Sequence, residues 1–321
     1  DIPFVGLHAH SVAGSPFDAL GYPPQHMDYA YENGGDALAL TDHGNMNGLS
    51  YQVLHAKKMH AAGKNFKPIF GVEAYFLPDL KAWRKEYEEA KADKKRKREV
   101  AKQTGMAIEE EGASKSKSGR NILNRRRHLI LLAQNQTGLN NIYSMISKSH
   151  DEENHYRYPR VDYKILKEHN EGVISASACL GGVYAGPQWN NVPDQHALNQ
   201  YIIQMHHEFG IQLISTADSH YPGPDAWKDR ELYKRLGWLG RGTPEWLSME
   251  LPVAVEEIGY ELYPKNGDQM WESYKEYSKD AGIEYDDDMI MASITRTHEI
   301  AHERIESFLP DTTVRLPDFV V

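Results

Sequence analysis

The stretch "FVGLHAHS" (residues 4–11) places two histidines two residues apart at the start of the chain. The apolar residues around them are typical of a β-strand, in which side chains at positions i and i+2 point to the same face. His8 and His10 are therefore predicted to reach the same ion, if the rest of the chain supplies further ligands.

The composition limits the classes of protein that fit this chain. Its 321 residues, 40% of them hydrophobic, suffice for one large α/β domain with an appendage. The single cysteine excludes a disulfide framework, and without a membrane-length apolar run or a signal-peptide opening we expect a cytoplasmic protein with no membrane contact. The net charge of −10 argues against a generally basic nucleic-acid binder, so any DNA contact must be local or assisted by metal ions.

Short strand-type runs alternate with helix-type segments along the chain, which is the rhythm of βα units. Helical periodicity is present in residues 49–63, 138–150 and 196–210. Six runs have the character of buried, parallel strands. They lie at residues 3–10, 36–44, 67–75, 127–135, 172–182 and 211–221. The sequence therefore predicts an α/β fold with six parallel strands.

Two parts of the chain depart from this rhythm. Residues 77–127 are dense in Lys, Arg and Glu, and we interpret them as a charged insertion made of a solvated helix and a loop. A basic arm that touches a phosphate backbone through Arg125–Arg127 is an alternative that the sequence leaves open. Residues 251–321 are expected to form a helical appendage and a linker, and residues 1–250 the main domain.

Side chains that bind metals are concentrated where the predicted strands end. In βα barrels the active site is built at that edge, because the loops converge there. His128 differs in that it opens its strand, and Asp18 lies in the loop after the first strand. The nine candidate ligands are His8, His10, Asp18, His43, Glu73, His128, Cys179, Asp218 and His220.

The types of these side chains indicate a transition metal. Histidine and cysteine beside carboxylates suit Zn²⁺ or Mn²⁺ better than Ca²⁺, which prefers oxygen ligands. Nine ligands exceed the need of one ion and favour a cluster of two or three ions, in which one ion can activate water and another neutralise a phosphoryl oxygen. Taken singly, each residue also has a structural interpretation, and Cys179 alone would be a small buried hydrophobe. Asp42 is predicted either to orient a ligand or to cap a helix.

A second metal pattern, "HEIAH", occurs at residues 298–302 and fits H-E-x-x-H, with Glu299 as the base of a metalloprotease. We do not favour this interpretation. The helix is predicted to pack against the body, and His298 is expected on its buried face with Ile294, Ala301, Ile305 and Phe308. No "HxxGxxH" extension follows, and only nineteen residues remain to supply a third ligand.

A series of motifs resembles one known family. The motifs are "GLHAHS", "ALALTDHGNMNG", "KPIFGVEAY", "RRHLILLAQNQTGLNNIYSMIS", "ISASACLGG" and "LISTADSHY". They resemble the polymerase and histidinol phosphatase (PHP) domain, in the form found at the N-terminus of bacterial C-family replicative DNA polymerase alpha subunits. The stretch "ITRTHEIAHERIE" and the final "LPDFVV" are similar to the segment that joins this domain to the polymerase palm.

The resemblance implies a distorted seven-stranded βα barrel of PHP type that holds three divalent metal ions, which are Zn²⁺, Mn²⁺ or both, with Fe²⁺ as a further option. The ligands that it implies are His8, His10, Glu73 and Asp218 for the first ion, a bridging Glu73 with His128 and Cys179 for the second, and Asp18, His43 and His220 for the third. Asp18, Glu73, Asp218 and His220 are also expected to be catalytic. Some members of the family have lost several ligands and use the domain as a scaffold, whereas here all nine positions hold competent ligands.

The implied reaction is metal-dependent phosphoester hydrolysis, in the form of 3′–5′ exonuclease action on the primer strand of DNA. The implied partner is a polymerase module, downstream on the same chain or in complex. A non-catalytic, metal-stabilised scaffold of a replicase and a small-molecule phosphatase of the histidinol-phosphate type are the alternatives. Between Cys179 and Asp218 the family has an additional helix and strand that do not fit here, so the region of Gly186–Trp189 is expected to be a reduced loop or to lack a piece.

Overall fold

The computed structural model describes residues 1–105, 125–178, 189, 193–238 and 261–313. In these ranges the helices are α1 (Pro23–Glu32), α2 (Leu49–Ala61), α3 (Leu80–Thr104), α4 (Gln136–Ser149), α5 (Tyr163–Glu168), α6 (Pro193–Phe209), α7 (Trp227–Trp238), α8 (Gly267–Ala281) and α9 (Asp287–Glu299). The strands are β1 (Ala37–Leu40), β2 (Lys67–Phe76), β3 (Arg127–Ala133), β4 (His155–Tyr156), β5 (Tyr158–Val161) and β6 (Val173–Ser177). Among the described residues, no helix combines the length and the apolar character that crossing a membrane would need.

The long strand β2 is the centre of a mixed sheet. It pairs in parallel with β1 through residues 67–70 and antiparallel with β3 through residues 71–76. On the far side of β3, strand β6 is again antiparallel. The end of β2 pairs in parallel with β5, and β5 pairs antiparallel with β4. The fold is therefore α/β, as predicted, with strands of both directions.

The prediction of six parallel strands is wrong in direction. Strand β3 runs antiparallel to both of its neighbours, β2 and β6. Hydrophobic runs indicate that a buried strand exists but not which way it points, and the long connection after β2 permits either direction. The described residues contain six strands, so they do not show the seventh strand that the resemblance implies.

A cavity of about 300 Å³ is lined by residues of β6 and by residues 211–214.

The first and last of the predicted strands are present as extended segments that make isolated bridges. Gly6 pairs in parallel with Leu38 of β1, and Ala9 pairs in parallel with Ser219. The backbone N–H of His10 donates to the carbonyl of Ser219 at 2.8 Å, and the N–H of Ser219 donates to the carbonyl of His8 at 3.1 Å. The segment with the two histidines is thus held between β1 and the segment around Ser219.

The two faces of β2 have different neighbours, because its side chains alternate. Phe70 and Val72 lie on the outer face and pack with residues of α3 and α4, such as Trp83 and Leu139. Ile69 lies on the inner face, in a cluster that includes Val5, Leu7, Ile130 and Leu132. Glu73 belongs by its register to this inner face, so its buried carboxylate lies on the inner side of the sheet.

The charged insertion begins with the predicted helix. The Asp79 side chain accepts a hydrogen bond from the N–H of Ala82 and caps α3, and Gly105 ends the helix with a φ of 65°. Only Leu80, Trp83 and Tyr87 are buried along its 25 residues. A solvated helix is therefore confirmed, whereas the predicted loop falls mostly on residues 106–124, outside the described residues.

The C-terminal helices share the core of the molecule. Met270 of α8 and Ile294 of α9 pack in one cluster with Phe4. After α9 the chain makes a π-type turn at Ile300–Arg304, and Ala301 and Ile305 are buried in the inner cluster, as predicted. The division of the chain at residue 250 stays a prediction.

The expectation for His298 is wrong. Its side chain is 38% exposed, and its Nε2 lies 3.5 Å from Oδ2 of Asp36. A helical pattern assigns each residue to a face, but it does not fix where the edge of the covered face lies.

A close approach between α4 and the turn before β6 yields a test of the packing. A Cβ atom added to Gly138 would lie 1.8 Å from the carbonyl oxygen of Gly172. Gly138→Ala is therefore expected to destabilise the protein by about 2 kcal/mol, although alanine in a helix ordinarily gains about 1 kcal/mol over glycine. Urea unfolding measures the difference, with Thr137→Ala at the exposed neighbouring position as the control. Equal or higher stability of Gly138→Ala would contradict this packing.

Candidate metal centre

The two histidines of the opening stretch point to the same side, as predicted. Their Nε2 atoms are 2.9 Å apart, and both side chains are fully buried. The extended backbone of residues 8–10 is held on both sides by the bridges to β1 and Ser219, so the two rings have a fixed separation.

Glu73 lies at the centre of the site, and each of its oxygens faces a pair of histidines. Oε2 is 2.6 Å from Nε2 of His8 and 3.4 Å from Nε2 of His10. Oε1 is 2.8 Å from Nδ1 of His43 and 2.5 Å from Nδ1 of His128. The side chain of Glu73 has no exposed surface. This is the arrangement of a carboxylate that bridges two ligand groups.

His128 reaches the site because of the direction of its strand. In the antiparallel register His128 pairs with Tyr75, near the C-terminal end of β2. The first residues of β3 therefore lie at the same edge as the last residues of β2. In a parallel sheet the start of β3 would lie at the opposite edge, whereas in the mixed sheet His128 is a neighbour of Glu73.

Asp218 and His220 complete the group of His8 and His10. Oδ1 of Asp218 lies 3.2 Å from Nε2 of His8 and 3.3 Å from Nε2 of His10. Asp218 has a φ of 46°, a left-handed conformation that Asp adopts more readily than most residues and that is common at functional sites.

His220 has a defined tautomer. Its Nδ1 lies 2.6 Å from the carbonyl oxygen of Asp218, and because a carbonyl only accepts, Nδ1 carries the proton. The lone pair of a neutral ring is then on Nε2, which lies 3.3 Å from Oδ2 of Asp18. The same Asp18 oxygen is 2.7 Å from Nε2 of His43. A ring nitrogen with a free lone pair opposite a carboxylate oxygen is a suitable place for a cation.

The electrostatics of the metal-free site keep its carboxylates ionised. Burial alone would raise the pKa of Glu73, but His43 and His128 hold it well below the usual range. His8 and His220 overcome burial in the same way and lower the pKa of Asp218. Burial would lower the pKa of His10, but hydrogen bonds to Asp218 and Glu73 raise it to about 9. In the metal-free site, a proton on His10 therefore compensates part of the negative charge that metal cations would otherwise compensate.

The donor set fits divalent transition metals. Three overlapping groups have their ligand atoms within 4.8 Å of one another. They are His8, His10, Glu73 and Asp218; His43, Glu73 and His128; and His10, His43 and His220. Nitrogen and oxygen donors together suit ions such as Zn²⁺, Mn²⁺ and Fe²⁺. With Asp18, eight of the nine predicted ligands lie in one site, and Cys179 lies outside the described residues.

A family model with the description "PHP domain" matches residues 6–217. This range includes seven of the nine candidate ligands and covers more than half of the chain. The chain belongs to the PHP domain family. The resemblance of the sequence motifs is thereby confirmed.

Relatives of this PHP domain are alpha subunits of DNA polymerase III. The subunit of Aquifex aeolicus is 29% identical over 251 residues, which are 69% of this chain and 18% of that protein. The subunit of Borreliella burgdorferi is 26% identical over 301 residues, which are 85% of this chain and 22% of that protein. The chain thus spans about a fifth of the length of these relatives.

Similarity to solved structures is weak. A proposed metal-dependent phosphoesterase from Bifidobacterium adolescentis has a TM-score of 0.38 and 9% identity, and the match covers 70% of this chain and 89% of that one. A likeness at this level supports no conclusion about fold or function.

Asp42 fixes the backbone around the ligands of the PHP site. Its Oδ1 accepts hydrogen bonds from the N–H of Ser11 at 2.7 Å and from Oγ of Ser15 at 2.8 Å. Oγ of Ser15 in turn accepts from the N–H of His43 at 3.2 Å. The helix-cap alternative for Asp42 is wrong, because α2 begins at Leu49 with Gly48 at its N-cap.

Sequence reasoning missed two features of the PHP site. The buried Arg230 donates from Nη2 to Oδ1 of Asp18 at 3.0 Å and from Nε to the Asp18 carbonyl at 2.7 Å. Nothing in the sequence marks this contact, since 212 residues separate the two partners. The serines Ser11 and Ser15 were also missed, although Ser11 directly follows the histidine pair and could have drawn attention.

Removal of the Asp42 carboxylate tests its positioning role. Asp42→Ala leaves the buried donors of Ser11 and Ser15 without their acceptor, so we expect the affinity for Zn²⁺ or Mn²⁺ to fall by roughly 10 to 100-fold. Asp42→Asn keeps one acceptor oxygen and should lose less. Competition with a fluorescent chelator measures the affinities. Unchanged affinity in Asp42→Ala would show that the serine contacts do not position the ligands.

A buried histidine beside the site makes the stability of the protein depend on pH. Nε2 of His26 donates to the carbonyl of Leu20 at 2.9 Å, and burial lowers the His26 pKa from 6.5 to about 4. Between these two values the unfolded chain binds a proton that the folded protein does not. His26 thus adds stability above pH 6.5 that is lost as the pH falls toward 4, up to about 3 kcal/mol.

The variant His26→Gln isolates this effect, because its amide can replace the donor at Nε2 and does not titrate. Urea unfolding of both chelator-treated proteins between pH 4 and 7 should show a shallower loss of stability in His26→Gln. The other titrating groups are common to the two proteins, so groups that do not interact with His26 cancel in the difference. Parallel pH profiles would rule out a neutral, buried His26.

Proposed function

We propose that this PHP domain is a metal-dependent phosphoesterase that acts as a 3′–5′ exonuclease on DNA. The observation that carries the proposal is the buried Glu73 between two pairs of histidines, with every described ligand position filled by a competent side chain. A scaffold that no longer bound metal would not need to retain three buried or half-buried carboxylates at one point, because each is costly without a cation.

The proposed centre holds three divalent ions. His8, His10, Glu73 and Asp218 would hold the first, Glu73, His128 and Cys179 the second, and Asp18, His43 and His220 the third. When bound, the ions supply activation of a water molecule and neutralisation of the charge on the phosphoryl oxygens. Glu73 would serve both of the first two ions, one through each carboxylate oxygen. Asp18 is held by Arg230, so its carboxylate has little freedom to turn away.

The rim of the site supports a phosphodiester substrate. The guanidinium of Arg126 lies 3.7 Å from the ring centre of Tyr158 and 5.3 Å from that of Tyr75. The Tyr75 ring is 5.4 Å from His128 and 6.2 Å from His43. A guanidinium next to the ligands suits the phosphate of a terminal nucleotide, and the buried Tyr75 ring helps to hold this cation in place. This local charge would allow DNA binding despite the net charge of −10.

The relatives support a place in replication. They are DNA polymerase III alpha subunits, and this chain matches about a fifth of their length. We infer that a polymerase module is the partner and that the 3′ end of the primer strand is the substrate. We also propose that residues 1–250 form the distorted seven-stranded barrel with its insertion at residues 77–127, and that residues 251–321 lead toward the polymerase region.

Degradation of labelled oligonucleotides tests the proposed function. The protein with added Mn²⁺ or Zn²⁺ should remove nucleotides from the 3′ end only, as the 3′ and 5′ labels distinguish. Asp218→Asn should lower the rate by at least about 100-fold, because a ligand that stabilises the cation is lost. His55→Gln is the matched control, since His55 pairs with Asp28 at 2.8 Å outside the site and should keep full activity.

The other outcomes identify the alternatives. Binding of about three ions per chain with no cleavage of DNA or of any small phosphate ester would contradict the enzyme and leave a metal-stabilised scaffold. Hydrolysis of histidinol phosphate or p-nitrophenyl phosphate without cleavage of DNA would indicate a small-molecule phosphatase. Equal activity in Asp218→Asn would place the catalysis outside this cluster.

A further inference from the structure

A second group of ligand-type side chains lies at the other end of β1. Asp36 immediately precedes β1, whereas His43 of the PHP site follows it. The two are seven positions apart along the chain, so they lie on the order of 20 Å apart where that chain is extended. Asp36 faces His298 on α9 and His302 in the turn that follows. This group shares no residue with the PHP site.

The ligand atoms of this group converge on one point. Oδ1 of Asp36 is 3.0 Å from Nε2 of His302, and Oδ2 is 3.5 Å from Nε2 of His298. The two histidine rings are 4.3 Å apart between their centres. All three ligand atoms lie within 4.8 Å of one another. Ligand atoms about 3 to 4 Å apart are what a tetrahedral ion with bonds of about 2 Å requires.

The elements that carry these side chains are tied together by Lys67. Its buried ammonium group donates to the carbonyl oxygens of Ala301 and Ile305. Its backbone N–H donates to the carbonyl of Asp36 at 2.7 Å. One residue thereby fixes the turn that holds His302 and the strand entry that holds Asp36. The ligands are therefore in place before any ion binds, which lowers the cost of ordering them.

The structure points to a metal site formed by Asp36, His298 and His302. We propose that these residues bind one transition-metal ion of the Zn²⁺ type. Two imidazole ligands exclude a preference for Ca²⁺ or Mg²⁺. Two histidines one helical turn apart form a chelating pair, whereas a hydrogen bond to Asp36 would need only one of them. The side chains are 30–45% exposed, so an ion reaches them from solvent, and a water molecule can complete the coordination.

The proposed ion would act as a clamp. It would join α9 and the turn after it, whose Ile300 and Ala301 are buried in the inner cluster, to the first strand of the sheet. The sequence alone disfavours the pattern "HEIAH" as a metal site, because no third ligand follows it. The structure brings Asp36, which precedes the pattern by more than 260 residues, next to both histidines. Glu299, the base in the metalloprotease interpretation, has its Oε1 3.8 Å from Nη2 of Arg304. We therefore propose metal binding alone at this site and no cleavage reaction.

Metal content and thermal unfolding test the proposal on the whole chain. Each protein is dialysed first against excess Zn²⁺ and then against buffer, and its Zn²⁺ content is measured by mass spectrometry. The double variant His298→Ala/His302→Ala should hold one Zn²⁺ per chain less than the parent. Asp218→Asn, which damages the PHP site, should keep this ion. Glu299→Gln is the matched control, because it changes the same motif without removing a proposed ligand, and it should bind as many ions as the parent.

Binding to the folded state raises the melting temperature with ligand concentration. In the Asp218→Asn background, Zn²⁺ should therefore still raise the melting temperature, and adding His298→Ala/His302→Ala should abolish the part due to this site. Asp36→Asn offers an independent removal of a ligand from the surface. Equal Zn²⁺ content in the parent and the double variant, both folded by circular dichroism, would overturn the proposal. Loss of the ion in Glu299→Gln as well would also contradict the assignment of ligands.

Discussion

The buried carboxylate of Glu73 is the constraint on which the site depends. An ionised carboxylate without any exposed surface costs several kcal/mol unless opposite charges and hydrogen bonds surround it. Four histidines surround Glu73, two at each oxygen, and they come from three separate parts of the chain. The opening segment, the end of β1 and the start of β3 must all be correctly folded before the charge is compensated. The cost of burying Glu73 therefore couples the site to the fold.

The direction of β3 makes this convergence possible. With β3 antiparallel to β2, residues at the start of one strand and at the end of the other meet at the same edge. Strand β1 separates the PHP site from the group of Asp36, His298 and His302, since His43 lies beyond its C-terminal end and Asp36 before its N-terminal end. A single short strand thus connects the PHP centre to the group on the C-terminal helix.

Metal binding and stability are coupled at this centre. In the metal-free protein, neighbouring histidines keep the carboxylates ionised, and the raised pKa of His10 means that it carries a proton at neutral pH. A metal ion must displace such protons, and in return it compensates charges that protons on the histidines compensate only in part. The hydrogen bonds that Asp42 accepts from Ser11 and that Arg230 donates to Asp18 hold the ligand-bearing backbone in the absence of the ion, which limits the ordering that binding requires.

Hydrophobic periodicity and side-chain chemistry are local properties, so the amino-acid sequence alone predicts the α/β class, the positions of β1, β2, β3 and β6 and of α2, α4 and α6, and the types of the ligands. His8, His10, His43 and Glu73 were found in this way, since each stands at or just after a strand. The direction of β3, the contact of Arg230 with Asp18, the serine contacts of Asp42 and the meeting of Asp36 with His298 and His302 follow from the tertiary structure. These features depend on which distant segments become neighbours, and no local pattern encodes the pairing of residues more than 200 positions apart.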